Sequence, residues 1–218
     1  MRRILVVLLL APVVGGCGGG GKQAATNVET RAGGRETHAG FTVRAVRDEG
    51  FSIAVPKKWR SIDAATALRG SSVKRFEREN PAAAGAVEAL ARPNSPMKFV
   101  AIDSSGDAFA TNVNVLVSRI PASVSFERWT AAETAQISAL NPTKLSKGAV
   151  QLPVGRAYRL AYHARLSIRG TPRDLAIHQY MVKRGAFLYV ITFTTDAAKE
   201  GRLTSTFDQS SRTFRLTA

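Results

Sequence analysis

The sequence predicts an α+β fold, in which an antiparallel β-sheet is covered by helices on both faces as an α/β/α sandwich. Three long strand patterns lie close together, at Arg156–Ile168, Arg173–Lys183 and Phe187–Thr195. Both faces of these strands are largely apolar, and such a sheet requires a covering layer on each face. Two helical patterns, at Ser125–Leu140 and from about Lys199 to Arg212, are expected to contribute helices to those layers.

Length and composition agree with one folded domain and a short additional segment. The chain has 218 residues, of which 44% are hydrophobic and 22% are charged. These values exclude a collagen-like or wholly disordered chain. The single cysteine excludes an intramolecular disulfide framework and a zinc site built from several cysteines.

The N-terminus has the pattern of a secretory signal segment. Arg2 and Arg3 precede an apolar run from Ile4 to Ala11, which is too short for a membrane span of about 20 residues. Small residues then lead to the only cysteine, in Val14-Gly15-Gly16-Cys17. This pattern predicts a signal peptide over residues 1–16.

The residues Val14-Gly15-Gly16-Cys17 resemble a bacterial lipoprotein lipobox, with Val14 at the position that leucine usually occupies. The resemblance implies that the Cys17 thiol receives a diacylglyceryl group, that the signal is cut before Cys17, and that the new amino group is acylated. Several acyl chains anchor a protein stably, whereas one alone holds only marginally. We therefore expect an extracytoplasmic protein attached to the cell membrane by a lipid at Cys17. The alternative is an ordinary signal peptide that is cleaved nearby, with Cys17 incidental.

Residues 17–40 are predicted to form a flexible tether, because they are rich in glycine and include the unbroken run Gly18–Gly21. As a random coil this segment would span about 25–30 Å. The folded domain is then residues 41–218.

The first part of the domain predicts strands and one interrupted helix. Phe51, Ile53 and Val55 alternate with smaller residues until Pro56 ends the run. Residues Ser72–Leu90 have a helical pattern that breaks or restarts at Pro81. Two further strands, Met97–Ile102 and Asn112–Ile120, are joined by the polar turn Asp103–Asp107.

The helix over Ser125–Leu140 has the clearest pattern. One side of it carries Phe126, Trp129, Glu133, Ile137 and Leu140. Ser125 is suited to cap its first turn, and Asn141-Pro142 is suited to end it.

Two-residue turns at Gly170-Thr171 and Arg184-Gly185 predict the register of the long strands. They place Leu160 opposite Met181, Leu166 opposite Leu175, and Met181 opposite Leu188. They also place His163 directly opposite His178.

The run Gly50–Trp59 resembles the strand, proline and tryptophan that open PsbP-like domains. The strand Asn112–Pro121, the helix Ser123–Leu140, the three long strands and the closing segment Phe207–Phe214 follow in the same order. The resemblance covers about residues 41–218. It implies an α/β/α sandwich and, for bacterial lipoproteins, a binding or accessory role in the cell envelope. It transfers no functional residue, because the run Gly50–Trp59 marks the fold.

His163 and His178 are the candidate metal-binding or acid-responsive pair, since two adjacent imidazoles can share a metal or respond to mild acid. A third ligand is missing from the pattern, and the alternative is a packed or hydrogen-bonded pair under a helix. On the first interpretation the protein is a secreted hydrolase or metal-dependent enzyme that uses His163 and His178.

No other motif predicts catalysis or a cofactor. Ser52 lies inside a strand and lacks the strand-to-helix turn of a nucleophile elbow. The loop Asp103–Asp107 lacks the downstream glutamate and flanking helices of a calcium loop.

A formal charge of +15 favours an anionic partner. Arg159, Arg165 and Arg169 are the candidate contacts, and the alternative is a solvated arginine-rich face. Phospholipid headgroups and anionic wall polymers fit this charge near a membrane, whereas export argues against nucleic acid. The leading hypothesis is a lipid-anchored, non-enzymatic binding or accessory module for a partner protein, a lipid or an anionic polymer.

Overall fold

A computed structural model describes residues 39–67, 84–103, 109–168 and 170–217, together with positions 74, 76, 78 and 105. The strands are β1 (Phe41–Val46), β2 (Phe51–Pro56), β3 (Arg60–Asp63), β4 (Met97–Ile102), β5 (Asn112–Arg119), β6 (Thr143–Leu152), β7 (Gly155–Ile168), β8 (Thr171–Arg184), β9 (Phe187–Asp196) and β10 (Arg215–Leu216). The helices are α1 (Ala64–Ala67), α2 (Ala84–Leu90), α3 (Phe126–Ser138) and α4 (Glu200–Arg212).

Seven strands form the main antiparallel sheet in the order β3-β4-β5-β9-β8-β7-β6. A second antiparallel sheet has the order β1-β2-β10. The predicted fold class is therefore confirmed: the fold is α+β and antiparallel, with helices on both faces of the main sheet. The second sheet was not predicted. It covers one of those faces together with α4.

The core beneath α4 and the second sheet is aromatic. Phe207 of α4 stacks on Phe193 of β9, with ring centroids 4.9 Å apart. Phe51 of β2 contacts Phe214 and Tyr189, at centroid distances of 5.6 Å and 6.3 Å. This core holds α4 directly over β8 and β9.

The opposite face is covered by α1, α2 and α3. Ile137 of α3 is fully buried in a cluster with Leu160, Tyr162 and Ile177 of the sheet. Ser125 caps α3 as predicted, because its side chain accepts a hydrogen bond from the backbone N–H of Arg128. Leu140 is 43% exposed, contrary to expectation, since α3 ends two residues earlier at Ser138.

Most of the predicted elements are present with bounds close to those expected. The strand β6 was not predicted, and it occupies the edge of the main sheet beside β7. Parts of two predictions lie outside the described residues: positions 72, 73, 75, 77 and 79–83 of the interrupted helix, and positions 104, 106 and 107 of the polar turn.

The predicted register of the long strands is wrong by two residues at both hairpins. Ile168 pairs with Thr171, and Arg184 pairs with Phe187. Each turn is displaced by one position: Gly170 takes the second central position instead of the first, and Gly185 takes the first instead of the second. Both glycines have positive φ there, 82° at Gly170 and 58° at Gly185.

A two-residue displacement keeps every side chain on its predicted face, because side chains in a strand alternate with a period of two. It changes the direct partners. His163 lies opposite Ala176 and His178 opposite Ala161, so the two histidines are diagonal neighbours. Likewise, Leu160 faces Gln179 and Leu166 faces Arg173 across β7 and β8. Between β8 and β9, Met181 faces Val190.

In the part of the chain that the structure describes, no helix is long and apolar enough to cross a membrane. The predicted signal peptide, Cys17 and nearly all of the tether lie outside the described residues.

Candidate functional site

The two histidines of the main sheet meet at one carboxylate. His163 Nε2 lies 2.7 Å from Glu200 Oε2, and His178 Nε2 lies 2.8 Å from Glu200 Oε1. His163 belongs to β7, His178 to β8, and Glu200 is the first residue of α4. The sheet and the helix are thus joined by a hydrogen-bonded group, which we call the histidine cluster: Arg159, His163, His178 and Glu200.

The apolar face of α4 determines where Glu200 lies. Phe207 is two helical turns after Glu200 and is completely buried against the sheet. Its ring also contacts His178, at a centroid distance of 5.4 Å. Burial of Phe207 therefore directs the first turn of α4 toward the histidines, and the positive end of the helix dipole favours a carboxylate there.

Arg159 fixes the protonation pattern of His178. Its Nη2 lies 3.2 Å from His178 Nδ1, and because a guanidinium can only donate, Nδ1 must accept. The proton of the neutral ring is then on Nε2, from which it is donated to Glu200. The cluster is a chain of donors that ends on one acceptor.

Electrostatics agree with this pattern. His178 is only 1% exposed, and this burial lowers the pKa of its imidazole. The hydrogen bond to Glu200 raises that pKa, but burial outweighs it, and the pKa stays below its ordinary value of 6.5. Burial alone would raise the pKa of Glu200, but the hydrogen bonds from His163 and His178 outweigh it and hold that pKa below 4.5. Glu200 is therefore ionised and His178 neutral at pH 7.

A second hydrogen bond joins α4 to β8 two residues further along the strand. The Tyr180 hydroxyl donates to Asp208 Oδ1 across 2.5 Å. Burial and this hydrogen bond raise the pKa of Tyr180 to about 12. The Arg159 guanidinium carbon lies 5.9 Å from the centre of the Tyr180 ring.

Hydrogen bonding occupies the atoms that a metal would require. Each Nε2 of the pair points at Glu200, and both oxygens of that carboxylate accept a hydrogen bond. Across the described residues, no group of three or more His, Cys, Asp or Glu side chains is arranged to hold a metal ion. What the arrangement provides chemically is a fixed, mostly buried connection between α4 and the sheet.

The predicted anion-binding arginines lie in different surroundings. Arg159 is half-buried in the histidine cluster, and its Nε is buried without a hydrogen-bond partner. Arg165 is exposed on the same face of β7, with its Nη1 3.9 Å from Asp174 Oδ1. Arg169 lies outside the described residues.

Sequence reasoning missed Glu200 and Asp208, the two acids that connect α4 to the sheet. Glu200 is 37 residues from His163 and 22 from His178, so no local spacing relates them. The available signal was an acid at the start of a predicted helix that had to cover the histidine face.

Fold and site together define an α+β domain in which a seven-stranded antiparallel sheet is tied to its covering helix by a buried histidine–carboxylate cluster. No protein-family model matches the chain, and no curated protein sequence matches it either.

Several solved structures are similar to it. Cyanobacterial PsbP (CyanoP) from Synechocystis sp. PCC 6803 is 15% identical, with a TM-score of 0.49 over 85% of this chain and 97% of that one. LpqN, a protein involved in cell envelope biogenesis of Mycobacterium tuberculosis, is 14% identical, with a TM-score of 0.48 over 84% and 94% of the two chains. The Ran-binding protein Mog1p of Saccharomyces cerevisiae is 12% identical, with a TM-score of 0.48 over 81% and 95%.

Proposed function

We propose that this chain is a lipid-anchored lipoprotein of the cell envelope whose domain acts as a non-enzymatic binding or accessory module. The observation that carries the proposal is the sequence Val14-Gly15-Gly16-Cys17 after a basic start and a short apolar run. The single cysteine of the chain stands where lipid attachment requires it. Acylation at Cys17 would hold the domain at the outer side of the cell membrane.

The charge of the chain supports an anionic partner. Lysine and arginine total 31 against 16 acidic residues. We propose Arg159, Arg165 and Arg169 as contacts for an envelope protein, a phospholipid or an anionic wall polymer. Arg165 supports this role most directly, because its side chain is 73% exposed.

Mass spectrometry of the native protein tests the anchor. We expect a mature chain that begins at Cys17, carries acyl chains on its thiol and amino group, and floats with membranes. Cys17→Ser should abolish acylation and release the domain from the washed membrane fraction. A native chain that retains residues 1–16 and is found in the cytosol would overturn the proposal.

Affinity capture of the anchored protein from its own envelope, with proteins and lipids identified together, tests the partner. A variant with Arg159, Arg165 and Arg169 changed to Gln should bind anionic polymer more weakly at low salt. A matched control changes the exposed Arg47, Arg92 and Arg202 to Gln and removes the same charge elsewhere. Equal loss in both variants would show that net charge, and not these three arginines, holds the partner.

Zinc content of the purified protein tests the enzymatic alternative. The proposal expects no stoichiometric zinc, because the imidazoles of His163 and His178 are hydrogen-bonded to Glu200. Stoichiometric zinc that disappears in His178→Ala would replace the binding module with a metal-dependent enzyme.

A further inference from the structure

One end of the main sheet carries a group of basic side chains around an exposed aromatic ring. Arg184 and Phe187 are paired at the end of β8 and the start of β9, and Arg119 of β5 is paired with Phe187 from the other side. Arg156 and Lys183 line one cleft at the same end. We call this surface the basic rim, which consists of Arg119, Arg156, Lys183, Arg184 and Phe187.

The cleft of the basic rim lies between the sheet and the start of α3. It has a volume of about 520 Å³, and Phe126, Val154 and Val182 provide its apolar wall. The first turn of α3 borders this cleft, and its helix dipole adds positive potential there. The Lys183 ammonium donates to the backbone oxygen of Val124 across 3.0 Å, which holds it beside the N-terminal end of α3.

Phe187 distinguishes the basic rim from an ordinary charged surface. It is 41% exposed, and in the described residues only Leu140 is a comparably exposed large hydrophobic side chain. The guanidinium of Arg119 lies 5.4 Å from the centre of the Phe187 ring. An aromatic ring held between cations suits the headgroup region of a bilayer, where a side chain meets both apolar and charged surroundings.

The acids near the basic rim leave most of its charge uncompensated. Glu127 pairs with Arg156, with an N···O distance of 3.2 Å, but both side chains are more than 60% exposed, and such pairs are weak. Glu49 lies nearby and pairs with Lys98 at 2.8 Å. Neither acid contacts Arg119 or Arg184 through an ion pair in the described residues.

We propose that the basic rim docks on an anionic phospholipid bilayer, with Phe187 at the headgroup layer. This proposal rests on the proposed lipid anchor and deepens it, because it states which end of the domain faces the membrane. Charge complementarity favours this partner, since basic residues gain attraction only within about a Debye length of the lipid surface.

The orientation has a consequence for the rest of the domain. β7 runs from the basic rim at Arg156 to the opposite end of the sheet at Ser167, about 35–40 Å away for an extended strand. Docking of the rim would therefore hold Arg165 away from the bilayer. Of the proposed partners, the phospholipid is then assigned to the rim, and Arg165 remains open to an envelope protein or an anionic wall polymer.

The labelled, acylated mature protein in vesicles tests the docking. Because acylation occupies Cys17, a cysteine introduced elsewhere is the only free thiol. Ala186→Cys places a fluorophore beside the basic rim, and Ser167→Cys places one at the far end as a matched control. The vesicles contain a headgroup-quenching lipid in either phosphatidylcholine alone or phosphatidylcholine with phosphatidylglycerol.

We expect quenching at position 186 in vesicles with phosphatidylglycerol, and little quenching there in phosphatidylcholine alone or at high salt. Position 167 should remain unquenched in all of them. Adding Arg119→Gln and Arg184→Gln should at least halve the quenching at 186, whereas Arg165→Gln should leave it unchanged. Equal quenching at 186 and 167, or none at 186, would overturn the proposal.

Failure of the anchor is distinguishable from failure of the docking. A chain that lacks acyl groups does not float with phosphatidylcholine vesicles, and that result contradicts the proposed function. A chain that floats with both vesicle types but shows no quenching at 186 contradicts the docking alone. No quenching at 186 with phosphatidylglycerol vesicles, together with binding of soluble anionic wall polymer that is lost in Arg119→Gln and Arg184→Gln, would assign the rim to polymer and overturn the lipid assignment.

Discussion

His178 Nε2 donates to Glu200 Oε1 across 2.8 Å, although one residue lies in the middle of the main sheet and the other begins the helix above it. The same carboxylate accepts a hydrogen bond from His163 through its other oxygen. A single side chain thus connects two strands and a helix, and its removal should weaken the attachment of all three to one another.

Glu200→Ala should lower the free energy of unfolding by about 2 kcal/mol at pH 7, because it leaves two mostly buried imidazoles without their acceptor. Urea denaturation measures the change. Glu127→Ala is the matched control, since Glu127 lies in the first turn of a helix and its carboxylate accepts a hydrogen bond from Arg156, but its side chain is 63% exposed. Its removal should cost less than about 1 kcal/mol. A Glu200 variant no less stable than the Glu127 variant would show that the cluster contributes nothing to the fold.

Acidification should destabilise the protein through His178. Its pKa is lowered in the folded state, so below pH 6.5 the unfolded chain takes up a proton that the folded chain excludes. The contribution of His178 to the free energy of unfolding is therefore fully present above pH 6.5, and it is lost as the pH falls below that value. Glu200 acts in the same direction below pH 4.5, because its folded pKa is also lowered.

His178→Gln isolates this effect when unfolding is measured against pH in both proteins. The difference in stability between wild type and variant should shrink as the pH falls from 7 to 5. A difference that stays constant over this interval would mean that His178 does not titrate on unfolding.

Glu133 should act in the opposite direction. It is 5% exposed on α3, and burial raises its pKa to about 7. Between pH 4.5 and 7 the folded state therefore holds a proton that the unfolded state releases, so stability falls as the pH rises. Glu133→Gln should remove this cost, so the stability of the variant relative to wild type should rise by about 3 kcal/mol between pH 4 and pH 8.

Thermal or chemical unfolding of Glu133→Gln at both pH values checks this prediction, with the exposed Glu127→Gln as control. If the two variants show the same small pH response, the carboxyl of Glu133 is ionised in the fold without penalty.

Gly185→Val should destabilise the β8–β9 hairpin by roughly 1–2 kcal/mol, because φ at this position is 58° and a β-branched residue is strained there. Gly148→Val is the matched control: a Cβ at either position meets no atom within 4 Å, but Gly148 lies in β6 with φ outside the left-handed region. The control should be neutral or slightly stabilising, since valine suits a strand. Unfolding midpoints compare the two, and equal effects would argue against backbone strain at Gly185.

The sequence by itself determined the elements that bury a repeating apolar face. Period-two patterns located β7, β8 and β9, and period 3.6 located α3 and α4, because burial of one face constrains residue type at regular spacing. The cap at Ser125 was also readable, since capping depends on side chains within one helical turn.

Only the tertiary structure decided which residues meet. The edge strand β6 has an exposed face and two lysines, so its pairing with β7 leaves almost no pattern in its own sequence. The hairpin registers depended on which turn position each glycine takes. Glu200 reaches His163 and His178 only because burial of Phe207 orients α4 over the sheet. A contact between residues distant in sequence follows from packing, and local periodicity carries no record of it.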